Sequence, residues 1–463
     1  MRLPLPVYKL SGTKAGTTCL PVLWHLNTTL DMWTYLYDFF HALDDRSMIR
    51  LFWFVLFIEF PRYVLGDLIG VVFSRLQRWL TRSEWKAARE RLFTENPLIT
   101  VLVPGKNEGK HIYALVKSLA AQTYRNYELI IVDDGSDDNT PLICRDLQKN
   151  GLINLYLRNP ERGGKASAAN FGLRYAKGQY VVHLDADSSL APDAVEKILL
   201  PFFRYENVGG VGGNVKVRNS GKNLCTSLQA LEYLNSVHVG RIVLSWLGIY
   251  KIISGAFGAF PTALLRRIGG WDIGPGLDGD ITIRIRKLGF RIIFEEEAVC
   301  LTNVPETWKG LTKQRLRWNK SIIRFRLRKH RDVFFPGRNF SMLNFLAFVE
   351  NIYFNVIADF IWVVYVIGLI LFNFTALIFV LPIKLVMYFI MNLMQFMIAL
   401  AISKQKKKDL PLLLYVPALT VYVGYYMRIV RTVAYIRELL FYSSYKDPWN
   451  PAKTSRKALE YGL

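Results

Sequence analysis

An α/β domain with a parallel sheet, set between apolar helical segments, is the architecture this sequence predicts. Three observations lead there. Short β-rich runs alternate with helix-length segments between about Asn96 and Gly337. Runs long and apolar enough for a bilayer follow from about Phe340. The 463 residues combine 51% hydrophobic character with a formal net charge of +22, which fits a membrane protein whose basic loops face the cytoplasm.

The charge raises nucleic-acid binding as a competitor. The cations are spread along the chain and no nucleic-acid motif accompanies them, so no nucleic-acid partner is expected. Cys19, Cys144, Cys225 and Cys300 are far apart and form no CxxC pair. That argues against a disulfide framework and a zinc site. The first residues lack the basic-then-apolar order of a cleaved signal peptide.

The elements follow in order. Residues 1–95 are expected to hold one membrane helix, Leu51–Phe73. It contains Glu59, Arg62 and Asp67, which are costly in lipid and should face protein or an interface. Arg75, Arg78 and Arg82 predict a cytoplasmic carboxyl side. Residues 96–337 read as the α/β domain. Its strands are "LITVLVP", "YELIIVDDGS", "INLYLRN", "YVVHLDADS" and "VGGVGGNVKV", with helical patterns at Ile112–Gln122 and Ala166–Ala176. Ligands of such sheets bind beyond the carboxyl ends of the strands, where the acidic residues lie. Residues 338–463 hold two spans, Phe345–Phe374 and Ala376–Ile402, then a basic turn at Lys404–Lys408. A third candidate, Leu412–Tyr426, continues toward Tyr442 and is interrupted by Arg428, Arg431 and Arg437. Three full spans would put the basic tail outside, so the last segment is expected to be tilted, interfacial or re-entrant.

Several stretches carry chemistry. In "LDADS", Asp185 and Asp187 share a strand face at its end. Two such carboxylates suit Mg²⁺ or Mn²⁺ completed by substrate phosphates, or simply a solvated acidic turn. Asp133 and Asp134 also end a strand and could accept from a ribose or base N–H, with Ser136 or Asp137 as helix caps. "RGGKASAANFGL" puts two glycines and Lys165 at a helix start, which suits a phosphate without Walker spacing. Within "GPGLDGDITIRIRKLGF", Asp280 fits a helix cap, which leaves Asp278 as the better general base. Trp271 in "GGWD" reads equally as a sugar platform or a packing residue. In "TKQRLRWNKS", Arg317 can pair with a diphosphate, and Gln314 shares a helical face with Trp318, whose ring can lie against a sugar. Lipid headgroups are the competing partner for that basic stretch.

Taken together and in order, "VDDGS", "GGKASAAN", "LDADS", "GLDGD" and "QRLRW" resemble the membrane-integrated family 2 glycosyltransferases. That group includes the cellulose, hyaluronan, chitin-like oligosaccharide and poly-N-acetylglucosamine synthases. The resemblance spans roughly Ile99 to Lys320 and implies a cytosolic GT-A (Rossmann-like) domain flanked by transmembrane and interfacial helices. It implies that Asp133 and Asp134 hold the uridine and that Lys165 approaches the diphosphate. Asp185 would contact the nucleotide or its metal, Asp187 the metal and diphosphate, and Asp278 would be the base. Gln314, Arg317 and Trp318 would cradle acceptor and diphosphate. Glu108, closing "VPGKNE", falls among the nucleotide-sugar ligands. Lys106 stands where an aromatic commonly flanks uracil, and Leu277 where most members carry an acid.

The implied reaction is inverting and processive: a UDP-sugar donor, a growing polysaccharide acceptor and a β-linked product guided out through membrane helices. It implies a multi-pass protein of the cell membrane with a cytoplasmic catalytic domain, contact with membrane lipid, and accessory secretion subunits. Two other readings stand beside it. One is a ceramide- or diacylglycerol-directed glucosyltransferase. The other is a non-catalytic scaffold, which would be expected to have lost the carboxylates.

Overall fold

In the computed structural model residues 52–272, 276–337, 340–372, 374–447 and 450–460 are described. The rest of the N-terminal segment, with Cys19 and Leu51, lies outside them, as do Gly274 and Pro275 of the glycine-rich loop. The strands are β1 (Ile99–Gly105), β2 (Tyr127–Asp133), β3 (Leu155–Arg158), β4 (Tyr180–Leu184), β5 (Ser189–Leu190), β6 (Val208–Val217), β7 (Phe257–Pro261) and β8 (Arg291–Thr302). They form one eight-stranded sheet in the order β3-β2-β1-β4-β7-β6-β8-β5.

The first four strands pair in parallel. Six of the seven residues of β1 are buried, as a parallel strand covered on both faces requires. Beyond β4 the expectation of a parallel sheet is corrected to a mixed one. β7 runs antiparallel to both β4 and β6, and β8 returns parallel to β6. β7 is hard to read because "FGAFP" alternates small residues with phenylalanine. The small residues serve close packing: a Cβ on Gly258 would strike Ile253. β8 is obscured by Glu295, Glu296 and Glu297. These are neutralised in the fold by Arg78 at 3.1 Å from Glu295, Arg75 at 2.8 Å from Glu296, and Lys404 at 2.6 Å from Glu297.

A continuous helical run covers 52–80, and its ionizable residues do face protein. Glu59 is buried, accepts from the Tyr388 hydroxyl at 2.6 Å and pairs with Arg428. Arg62 reaches Glu350 at 2.7 Å. Trp53, Phe57, Val72 and Trp79 are exposed on the other side. Among the described residues three helices are long and apolar enough to cross a membrane: Met342–Phe372, Leu377–Ile402 and Lys406–Phe441; the run 52–80, which carries Glu59, Arg62 and Asp67, is not one of them. The third differs from the other two, because it touches the α/β domain along its length. Asp409 stands 3.7 Å from Lys216, the Tyr422 hydroxyl donates to Glu232 at 2.9 Å, and Glu438 pairs with Arg328 at 2.6 Å.

Candidate active site

The sheet reverses its direction of growth between β1 and β4, and their carboxyl ends open a crevice there. Glu108 follows β1, Asp133 and Asp134 end β2, and Asp185 and Asp187 follow β4. Asp134 is buried and accepts from the backbone N–H of Gly163 at 2.8 Å and Gly164 at 2.7 Å, and from Asn159 Nδ2 at 2.9 Å. It thereby fixes the glycine turn that starts the helix Lys165–Tyr175. Asp133 accepts from the Ser136 N–H at 2.7 Å and the Tyr156 hydroxyl at 2.9 Å. In this structure both carboxylates are engaged in building the loops, and any nucleoside contact must share them.

Lys165 leaves that turn and pairs with Asp185. Asp187, next to Asp185, accepts from the Thr302 hydroxyl at 3.4 Å. Burial, then the charge of Asp185, pushes Asp187 up to about 6. Burial, then Asp187 and Asp185, pushes Glu108 up to about 7. The three acids therefore feel one another across a single cleft. Among the described residues no group of three or more His, Cys, Asp or Glu side chains forms a ready metal cage. Hard carboxylates crowded into one cleft fit a divalent cation that takes its remaining oxygens from a diphosphate and water. A cation caged by protein alone does not fit.

Asp278 joins this group from the other side. It lies in the first turn of the helix Leu277–Lys287 and accepts from the Gly255 N–H at 2.8 Å. A Cβ on Gly255 would collide with its carboxylate, so the approach needs glycine. Burial raises its proton affinity and Asp185 adds to this, while Lys165 opposes. Asp280 belongs elsewhere. Gly276, not Asp280, precedes the helix, so the capping role expected of Asp280 is corrected. Asp280 is fully buried among Arg284 (2.9 Å), Lys329 (2.8 Å) and His330 (2.8 Å). Those partners hold its carboxyl well below the usual range despite burial. It is unfit to collect a proton.

The helix Trp308–Ile322 presents the remaining candidates. Arg317 feels Asp447, Asp185 and Asp278. Trp318 is 40% exposed, enough to offer a ring face. The Gln314 Oε1 is buried without a hydrogen-bond partner among the described residues. Trp271 is corrected as an acceptor platform. Its indole is 2% exposed and packs on His183, with ring centroids 5.1 Å apart.

Sequence reasoning missed the residues that hold these in place. His183 is bonded through Nδ1 to the Gly255 carbonyl at 2.8 Å and so steadies the backbone that donates to Asp278. Burial keeps it neutral, down to about 3. Arg315 pairs with Glu232 at 2.7 Å and lies 4.6 Å from the centre of the Trp318 ring. A buried histidine in a strand and an arginine among many carry no signal of their own.

Residues 100–269 match the glycosyl transferase family 2 model. The chain is 33% identical over 222 residues to the poly-beta-1,6-N-acetyl-D-glucosamine synthase of Staphylococcus epidermidis, covering 48% of this chain and 53% of that protein. It is 32% identical over the same length to the Staphylococcus aureus synthase, with the same coverage. The chain thus spans about half the length of the curated relatives it matches. A mannosyltransferase from Pyrobaculum calidifontis, solved with GDP-Man and Mn²⁺, is 22% identical, with a TM-score of 0.52 over 81% of this chain and 99% of that one. That likeness concerns the fold alone. With the sheet, the acidic crevice and these matches together, residues 100–269 are a region similar to glycosyl transferase family 2, in a fold like that of the mannosyltransferase.

Proposed function

We propose that the protein is an inverting, processive glycosyltransferase that polymerises a UDP-activated sugar into a β-linked polysaccharide and secretes it across the membrane. One observation carries the reading: Asp185, Asp187, Lys165 and Arg317 surround the same cleft as a buried Asp278 of raised proton affinity. The relatives' names make N-acetylglucosamine the first sugar to test.

In this reading Asp278 accepts the proton of an acceptor hydroxyl held against Trp318. That oxygen forms a bond to the anomeric carbon as the bond to the diphosphate breaks on the opposite face. Lys165 and Arg317 meet the charge that collects on UDP. Mg²⁺ or Mn²⁺ on Asp185 and Asp187 would add Lewis-acid neutralisation of the diphosphate. His183 and Gly255 hold the base, and Asp134 holds the glycine turn. Asp133 and Glu108 complete the nucleotide side of the cleft, and Gln314, one turn before Trp318 on the same helix, is read as an acceptor contact.

The helix 52–80 and the hairpin Met342–Phe372 with Leu377–Ile402 are read as three crossings of the cell membrane. Lys406–Phe441 is read as interfacial, since both its ends meet the α/β domain. This leaves Arg75, Arg78 and Lys404–Lys408 on the cytoplasmic side with the catalytic domain. Three crossings are few for a polymer channel, which favours a lipid acceptor as the second reading. Incubating the purified protein with a panel of UDP-sugars, measuring UDP release and sizing the product tests both. Long chains support the synthase, a one-sugar glycolipid supports the second reading, and no UDP release from any donor refutes both.

A further inference from the structure

Away from the crevice, a cavity of about 120 Å³ opens where the first helix meets the sheet edge. It is lined by Arg78, Arg204 and Arg291, with Trp85, Tyr205 and Trp246. The cations and rings alternate. Arg78 and Arg204 lie 4.4 and 4.8 Å from the centre of Trp85, and Arg204 and Arg291 lie 4.1 and 4.8 Å from that of Tyr205. Arg204 has a side chain only 3% exposed, and its Nε has no hydrogen-bond partner among the described residues. The Nε1 of Trp85 is in the same state.

Two acids, Glu295 and Glu296, also line the cavity, and both are already taken. Glu295 is held by Arg78 at 3.1 Å and Glu296 by Arg75 at 2.8 Å. Arg204 reaches only the exposed Glu84, at 3.0 Å, and no ion pair involves Arg291 among the described residues. Burial presses Arg204 below its ordinary range; Arg78 and Arg291 add to this against the pull of Glu84. Converging guanidiniums with unused donors call for an anion, and guanidinium donors suit phosphate oxygens.

The surroundings say what kind. Trp246 belongs to the cavity wall and is also 40% exposed, stacked at 5.7 Å on Phe73. Leu76, Trp79, Leu80 and Leu247 extend this exposed apolar surface. Drug-sized ligands occupy roughly 300–1,000 Å³, so a nucleotide exceeds the cavity whereas a single phosphate group does not. We infer that this cavity seats the phosphate of an anionic phospholipid, with the acyl chains on Phe73, Leu76 and Trp246. Basic pockets at the cytoplasmic edge of membrane helices bind such headgroups.

The test reconstitutes the full chain in phosphatidylcholine nanodiscs with or without phosphatidylglycerol, then extracts it gently and identifies retained lipid by native mass spectrometry. Phosphatidylglycerol should remain bound in preference to phosphatidylcholine. Arg291→Gln, an exposed change that leaves the core intact, should weaken retention about tenfold, the loss of one charge-assisted hydrogen bond. Arg291→Lys should restore part of it. Inorganic phosphate should neither displace the lipid nor raise the melting temperature. Equal retention of the two lipids, or indifference to Arg291→Gln, overturns the inference. So does thermal protection by inorganic phosphate alone, which would mark a site for soluble anions. No sugar donor is present, so the outcome is independent of the catalytic reading.

Discussion

Replacing Asp278 with asparagine separates its chemistry from its architecture. The amide oxygen can still accept from the Gly255 N–H at 2.8 Å, and the shape is unchanged. What disappears is the ability to take a proton. A positioned base contributes roughly 10²–10⁴ in rate, or about 2.7–5.4 kcal/mol at 1.36 kcal/mol per decade. The donor KM should move little, because Lys165 and Asp185 keep their pairing. The control is Asp280→Asn. It breaks a fully buried contact set with Arg284, Lys329 and His330. Removing one side of such a set costs about 3–5 kcal/mol of stability, with turnover per folded molecule largely kept. Initial rates of UDP release against pH, beside thermal melts, distinguish the two. Burial raises the proton affinity of Asp278, so the base is ionized only above the ordinary carboxylate range. The wild-type kcat/KM should climb with pH there, and Asp278→Asn should flatten the climb. The assignment fails if Asp278→Asn keeps turnover within about threefold of wild type, far inside the span expected of a base. It fails also if Asp280→Asn abolishes turnover with no change in melting temperature.

Other expectations concern the same cleft. Gly255→Ala should lower kcat about 100-fold with the donor KM nearly unchanged, because the new methyl displaces Asp278 from alignment; steady-state kinetics decide. Mn²⁺ added with UDP near pH 6.5 should release protons, since Asp187 and Glu108 sit near 6 and 7 and the cation favours their ionized forms; calorimetry in buffers of different ionization heat measures this. Without metal, both acids bind protons more tightly folded than unfolded. Their contribution to stability should therefore fall as pH rises from about 4 to 7, and metal with UDP should reverse the slope. Trp318→Ala should shorten the product while Trp318→Phe keeps its length, read by sizing chains, because the 40% exposed ring is a platform whose flat face phenylalanine retains.

Much of this was legible because parallel strands announce themselves. β1 is an apolar run ending in proline and glycine, β2 and β4 are apolar runs that lead into acids, and these signals are local in sequence. The proposed base narrowed to Asp278 because a second acid two residues away had a competing structural use. That use turned out to be ion pairing, not capping, since Lys329 and His330 lie some 50 residues on and no local pattern joins them to Asp280. Trp271 failed for a related reason. Its burial depends on His183 and on Asn170, which accepts its backbone N–H at 2.9 Å, both far away in the chain. β7 and β8 were lost because a short run of phenylalanines alternating with small residues and a glutamate triplet carry little strand signal until tertiary partners arrive.

Those long-range pairings also bear on how the protein is made. Glu59 emerges from the ribosome early, and its partner Arg428 follows 369 residues later. Until then the nascent amino-terminal helix holds an unmatched acid that lipid rejects. Before Arg428 is made, this helix must therefore rest at the bilayer surface or be sheltered by the insertion machinery. Closure of the Glu59–Arg428 pair waits on a helix encoded 369 residues downstream.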